Sequence, residues 1–412
     1  MLKLIKSKYV LILITLISTS LFAENFNFST PLDISSAAGT TPQVTADNSG
    51  RYVFSIWREG TDVQVARSAD FGQTWTTIVP NLGTGGAPQI VTDSSGRYVF
   101  AIWADGSSNI QVARSADFGQ NWTTIVPNFG QGGASQIVTD SSGRYVFAIW
   151  EDIGGNIQTA RAADFGQNWS LPLDLGPGKL SQIVTDSSGR YVFAIWVDGT
   201  NIQTARSADF GQNWTSQIIG VVALFAVNPK SQITTDISGR YVFAIWQDDN
   251  DDIQTARSDD FGQTWGTQIV QSSVNPLLDP QIVTDSSGRY VYAIWQDLGS
   301  LLQIARSDDF GQNWSLPPNL GLGDDPQIVA DISGRYVFAI WVAGGNIQTA
   351  RSADFGQTWS AIVPNLGLGS QPQIVTDSTG RYVFPIWRNT NIYTSKGLRS
   401  FFPITSFNIS RG

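Results

Sequence analysis

One unit is written eight times in this chain. The string Gly-Arg-Tyr-Val begins at Gly50, Gly96, Gly143, Gly189, Gly239, Gly288, Gly334 and Gly380, at intervals of 46 to 50 residues. A unit of this size cannot bury its own apolar surface, so neighbouring copies must bury it for one another. At ~150 residues per domain, a length of 412 would allow two or three domains. The unbroken period makes residues 24–412 one domain instead.

Each copy reads as four strands. In the second copy Gln89 to Thr92 is the first, closed by the Asp93-Ser-Ser-Gly96 turn. Arg97 to Trp103 is the second, Ile110 to Ser115 the third, and Trp122 to Val126 the fourth, with Pro127 ending it. Both alternating sets of the second strand are apolar: Tyr98, Phe100 and Ile102 on one side, Val99, Ala101 and Trp103 on the other. A sheet that is apolar front and back is buried on both faces. No segment keeps a 3.6-residue apolar period, so no helix is expected. Four-stranded units of about 45 residues with two buried faces describe a β-propeller. A sandwich would bury only one face of each sheet, and a linear solenoid would use a shorter repeat.

Strand bookkeeping gives eight blades. Eight copies of the first three strands are followed by seven copies of the fourth. Near the N-terminus, Asn27-Phe-Ser-Thr-Pro-Leu-Asp-Ile34 matches Asn168-Trp-Ser-Leu-Pro-Leu-Asp-Leu175, a fourth strand. The N-terminal segment is therefore expected to complete the last blade and leave no open edge. A seven-bladed ring with a spare half-blade is the competing count. The tail Leu398 to Gly412 is the other candidate for the outer strand.

The first residues read as a secretory leader. Lys3, Lys6 and Lys8 precede an apolar run from Tyr9 to Ile17, and Ser18 to Ala23 supplies a small-residue exit. The run is shorter than the ~20 residues a spanning helix needs. Cleavage is expected after Ala23, with a periplasmic or extracellular product and no later membrane span. Loss of three Lys takes the net charge from -9 to -12. Such a surface repels nucleic acid and anionic membranes. The chain has no His and no Cys. That excludes Ser-His-Asp and Cys-His catalysis, zinc sites built on those ligands, and disulfides. No cofactor is expected, and the expected state is a monomer.

Between the third and fourth strands lies Ser68-Ala-Asp-Phe-Gly-Gln-Thr-Trp75, an octapeptide that recurs at 115–122, 162–169, 207–214, 258–265, 307–314 and 352–359. It resembles the Asp box, Ser-x-Asp-x-Gly-x-Thr-Trp, of the sialidase or BNR-repeat propellers. The eighth copy, Asn391-Ile-Tyr-Thr-Ser-Lys396, has no box. The resemblance implies that Asp70, Asp117, Asp164, Asp209, Asp260, Asp309 and Asp354 are fold elements, set away from the active-site face. Short-range chemistry agrees, since an Asp in a tight turn accepts backbone N–H groups and its pKa falls.

The resemblance also implies a sialidase site, with three Arg for a carboxylate, a Tyr nucleophile activated by Glu, and an Asp acid/base. The residue supply does not match it. Of 19 Arg, eight stand in Gly-Arg-Tyr and seven precede boxes, leaving Arg58, Arg388, Arg399 and Arg411. Glu occurs only at 24, 59 and 151, and Tyr292 merely replaces Phe in a second strand. An enzyme site needs differentiated groups in named roles. The chain is therefore read as a glycan- or protein-binding scaffold, with a sialidase-like exo-glycoside hydrolase as the alternative.

Loops after the second strand and before the next blade carry the variation. After the second-strand Trp come Arg58-Glu59, Ala104-Asp105, Glu151-Asp152, Val197-Asp198, Gln247-Asp248, Gln296-Asp297, Val342-Ala343 and Arg388-Asn389. The expectation is a ligand face with an acidic arc of Glu59, Asp105, Glu151, Asp152, Asp198 and Asp297. Ring closure would set Arg58 beside Arg388 as a two-Arg notch. Gln43, Gln89, Gln136, Gln182, Gln232, Gln281, Gln327 and Gln373 open the inner strands and are expected to ring the central channel. The loop Val221 to Val227 is apolar. Asp248-Asp-Asn-Asp-Asp252 has a Ca²⁺-like spacing but Ile253 at the sixth place instead of Gly, so no metal is assigned.

Overall fold

The computed structural model describes residues 22–78, 81–125, 129–222, 231–272, 280–297, 299–362 and 365–403. They form eight antiparallel blades in a closed ring, with no helix among the described residues. The apolar loop falls largely at 223–230 and the expected leader at 1–21, both outside the described residues.

The second blade shows the plan. Gly86–Thr92, Val99–Ala104, Ile110–Ser115 and Thr123–Ile125 pair in order from the axis outward. Ile102 stands opposite both Gln89 and Val112. Residues 99–103 are at most 1% exposed. The two alternating sets go to different neighbours. Phe100 and Ile102 pack with Val146, Ala148 and Trp150 of blade 3. Val99, Ala101 and Trp103 pack with Phe54 and Ile56 of blade 1. Each apolar cluster thus lies between two blades, and Phe384 and Ile386 of blade 8 meet Val53 and Trp57 of blade 1 in the same way. The core is a circle of shared interfaces, which is why one blade alone has no core.

A second circle runs through the turns joining the first and second strands. The N–H after each turn Asp donates to the equivalent carbonyl of the next blade: Asn48 to Ser94, Ser94 to Ser141, Ser141 to Ser187, Ser187 to Ile237, Ile237 to Ser286, Ser286 to Ile332, Ile332 to Ser378, and Ser378 back to Asn48. All eight bonds measure 3.0–3.1 Å. This closed circuit fixes the blade count at eight and removes the seven-bladed alternative.

Closure uses both ends of the chain. Leu32–Asp33 pairs with Tyr393 and Thr394, so the N-terminal segment is the outer strand of blade 8, as its likeness to 168–175 implies. The tail does something else. Gly397–Pro403 pairs with Phe22–Phe28 as a two-stranded ribbon, and Gly397 and Leu398 also pair with Val383 and Tyr382. Ala23, the expected cleavage point, lies within that ribbon strand.

Inner strands bend by a bulge just before the channel Gln. Thr41, Ala87, Ala134, Leu180, Asp325 and Gln371 take φ between 47° and 57° there. The Gln side chains bridge neighbouring inner strands: Gln136 Oε1 accepts from Ile183 N at 3.4 Å, and Gln232 Oε1 from Ile282 N at 3.2 Å.

Candidate functional site

The seven boxes are turn locks. In the second, Asp117 accepts from Ser115 Oγ at 2.8 Å, Gln120 N at 3.1 Å, Asn121 N at 2.9 Å and Asn121 Nδ2 at 2.6 Å. Burial pushes this carboxyl up, but the bonds from Asn121, Ser115 and Gln120 outweigh it and hold the pKa below the usual value. The same balance lowers Asp70, Asp164, Asp209, Asp260, Asp309 and Asp354. Phe118 and Gly119 both stand at positive φ, 62° and 74°. At Gly119 there is also no room, since a Cβ would meet the Phe54 ring at 2.6 Å. The sequence points to Gly for this conformation; the Phe is in it too. A bulky residue there is strained. Its ring is held by Tyr52 of the preceding blade at 4.6 Å, and the Arg51 guanidinium lies over that Tyr at 5.3 Å.

Three of the Arg residues that precede boxes have a target the sequence does not reveal. Arg206, Arg257 and Arg306 donate Nε to Phe261, Phe310 and Phe355 carbonyls of the next box at 2.8–3.0 Å. The turn Asp residues near the axis, also unread from sequence, are buried caps. Asp93 accepts from Tyr98 N at 2.9 Å and Ser95 Oγ at 2.6 Å. Desolvation raises Asp47, Asp186 and Asp331 despite such bonds. The signal available was the constancy of Asp in the Asp-Ser-Ser-Gly turn.

On the opposite face, several acids of the expected arc hold their own hairpins. Asp105 accepts from Ser107 N, Asn109 N and Gln111 Nε2 at 2.8–3.1 Å. Asp152 does so from Gly154 N, Asn156 N and Gln158 Nε2 at 2.8–3.0 Å. At Asp105 burial raises the carboxyl but the Asn109, Ser107 and Gln111 bonds outweigh it; at Asp152 the Asn156 N–H leads, and both pKa values fall. Asp297 takes Gln303 Nε2 at 2.6 Å, with Oδ1 buried and unpaired. Asp248 is buried and accepts from Asn250 N, Asp252 N and Gln254 Nε2. Among the described residues no three acids come together to hold a metal. Glu59 caps Trp57 Nε1 at 3.1 Å and binds Ser36 N at 3.2 Å and Ser36 Oγ. Glu151 and Asp198 are half-buried.

Arg58 and Arg388 are the last but one residues of the second strands of blades 1 and 8, opposite Thr40 and Ser370. Closure makes those blades neighbours. Arg58 is exposed, and its Nε donates to Gly60 O at 2.8 Å. Arg388 is half-buried, with Nε buried and unpaired.

Concave space lies between blades at the outer rim. One cleft of about 400 Å³ separates the outer segment of blade 6, at Asn319, from Trp341, Gln348, Gln357 and Trp359 of blade 7. A second, about 280 Å³, sits in the corresponding place between blades 3 and 4, against Gln212, Asn213 and Trp214. The sequence pattern marks these Trp and Gln residues as repeat positions but gives no sign that they border a cleft.

No family model matches the chain, and no curated protein matches its sequence. Solved structures match its fold. The BP39L lectin of Burkholderia pseudomallei superposes with a TM-score of 0.55 over 79% of this chain and 100% of its own, at 10% identity. The WD40 domain of SCAP from fission yeast gives 0.55 over 92% and 98%, at 11%. Prolyl oligopeptidase B from Galerina marginata gives 0.53 over 85% of this chain and only 55% of its own, at 11%. A lectin, a WD40 domain and a peptidase share this architecture, so what the likeness establishes is the β-propeller.

Proposed function

We propose that the chain is a secreted Asp-box propeller of the sialidase/BNR type that serves as a binding module for a glycan or protein, not as a hydrolase. The observation that carries this is the state of its carboxylates. A glycosidase needs a carboxylic acid kept protonated near neutral pH. Here the loop acids Asp105 and Asp152 and all seven box acids are held below the ordinary value by their own turns, and the three raised carboxyls, Asp47, Asp186 and Asp331, are buried caps with their oxygens spent on the turns near the axis. The groups repeat from blade to blade where an enzyme would differentiate them.

The ligand face in this reading carries Arg58, Glu59, Asp105, Glu151, Asp152, Asp198, Asp297 and Arg388, with the two Arg as its one basic notch. A glycan array on the chain from Glu24 onward, run beside a fluorogenic sialoside assay, tests it. Binding without turnover is expected; turnover would establish the hydrolase. Sequencing the N-terminus of the exported product tests the leader, with Glu24 expected first.

A further inference from the structure

Blade 7 breaks the repeat in a way that frees a set of polar groups around one cleft. In blades 2, 3, 5 and 6 the third-strand Gln donates its amide to the loop Asp: Gln111 to Asp105, Gln158 to Asp152, Gln254 to Asp248 and Gln303 to Asp297, at 2.6–3.1 Å. Blade 7 has Ala343 where those blades have Asp. Gln348, the equivalent amide, has lost that acceptor, and Gln64 of blade 1 and Gln203 of blade 4 make no such bond either, though neither borders a cleft with a free box amide. The box of blade 7 differs as well. In the other six boxes the Gln side chain donates to the carbonyl of its own Asp at 2.8–3.0 Å. Gln357 makes no such bond.

Both amides border the cleft of about 400 Å³ between blades 6 and 7. Its walls include two indoles. Trp341 is 5% exposed, where the other seven second-strand Trp are at most 1% exposed, so the cleft reaches this ring. Trp359 Nε1 is buried with no acceptor, as in several other boxes, whereas Trp122 and Trp214 donate to Gly119 O and Gly211 O. Thr349, Thr358 and Asn319 complete the polar lining, and among the described residues no charged side chain borders the space.

We infer that this cleft is a binding site for an uncharged sugar, an assignment that rests on the binding-module reading above. The volume lies in the range of small-ligand pockets. The C–H face of a pyranose is apolar and suits an indole, while its hydroxyls both donate and accept, as do Gln348 and Gln357. An anionic sugar would surrender hydration with no cation in the cleft to replace it. The chemistry therefore selects neutral hexoses over sialic or uronic acids. It also places this site on the rim, separate from the two-Arg notch.

The test is calorimetric titration of the chain from Glu24 onward with methyl glycosides of glucose, galactose and mannose, with N-acetylneuraminic acid as the anionic probe. At least one neutral glycoside is expected to bind and the acid not to. Gln348→Met with Gln357→Met is expected to weaken that binding about tenfold, the loss of two or so neutral hydrogen bonds. Because neither amide bonds the turn it belongs to, the melting temperature should not move. Gln120→Met, the same change where the amide bonds its own turn, should leave binding as it is. Unchanged affinity in the double variant would overturn this site. So would binding confined to N-acetylneuraminic acid or to other glycans on the array; the module reading would then survive without it. Silence on both the array and the titration would remove both.

Discussion

Seven of the eight blade junctions are stitched alike, and one is not. At the seven, a Tyr of one blade stacks on the box Phe of the next at 4.5–4.8 Å between ring centres. Between blades 7 and 8 there is no box, and the terminal ribbon stands in for it. Arg399 lies over Tyr336 at 3.7 Å, and Arg399 N donates to Arg381 O at 2.9 Å, the bond Phe118 N makes to Arg97 O elsewhere. Glu24 gives Arg351 an acceptor at 2.6 Å, where Arg206, Arg257 and Arg306 use a Phe carbonyl, and it accepts from Tyr336 Oη at 3.2 Å. Phe26 enters the cluster between these blades beside Phe338. The difference is one of distance along the chain. Most boxed junctions join consecutive copies. The seam joins Glu24 to partners more than 300 residues away, so its loop entropy is met only when the ring is nearly complete.

The comparison can be broken first at the seam as a whole. A chain ending at Lys396 loses the ribbon partner and Arg399 together. Its thermal midpoint should fall by about 5 °C, as expected for a loss of several kcal/mol, with a broadened transition in calorimetry. Next comes Phe26→Ala, a buried aromatic removed from the seam core, with a cost of about 3 kcal/mol in urea unfolding. Glu24→Ala strands a part-buried Arg351 and Tyr336 Oη and should cost about 2 kcal/mol. Asp117→Ala, within an ordinary box, should cost about 1 kcal/mol, since backbone groups of an exposed turn can turn to water. A seam substitution that cost less than the box substitution would reverse the ranking.

The gentlest probe is acid. The box carboxylates have folded pKa values below their unfolded ones, so their contribution is complete above the unfolded value near ~4 and is lost as pH falls through the folded values. Asp47, Asp186 and Asp331 are raised and act in the opposite sense, favouring the folded chain as they protonate. With the seven box acids and Asp105 and Asp152 lowered against three raised, urea midpoints should hold from pH 6 to 5 and decline toward pH 3. A midpoint that rose on acidification would contradict the box assignment.

What was legible in the sequence follows the same division. Blade plan, two-faced second strand and box were readable because copying shows which residues a position requires. The outer strand at Leu32–Asp33 was readable because it resembles its seven counterparts. Glu24, Phe26 and Arg399 were not, since each acts once and across the whole chain, with no second copy to expose its role. The arc acids were found by position, but their use as hairpin caps depends on the Gln two strands' ends away in register, as with Gln158 and Asp152. The cleft between blades 6 and 7 was invisible for the converse reason. What sets it apart is an omission in blade 7, which has Ala343 where other blades have Asp, so that Gln348 lacks that acceptor.

Hydrogen exchange at the turn amides tests the closed wheel most directly. Amides of Asn48 and Ser378 lie on either side of the closing point and take part in the same circuit as those of Ser94, Ser141, Ser187 and Ser286. The account predicts that all six exchange with comparable protection, and that Asn48 and Ser378 lose it no sooner than the rest. Rapid exchange at Ser378, with its counterparts still protected, would mean that blades 8 and 1 do not meet.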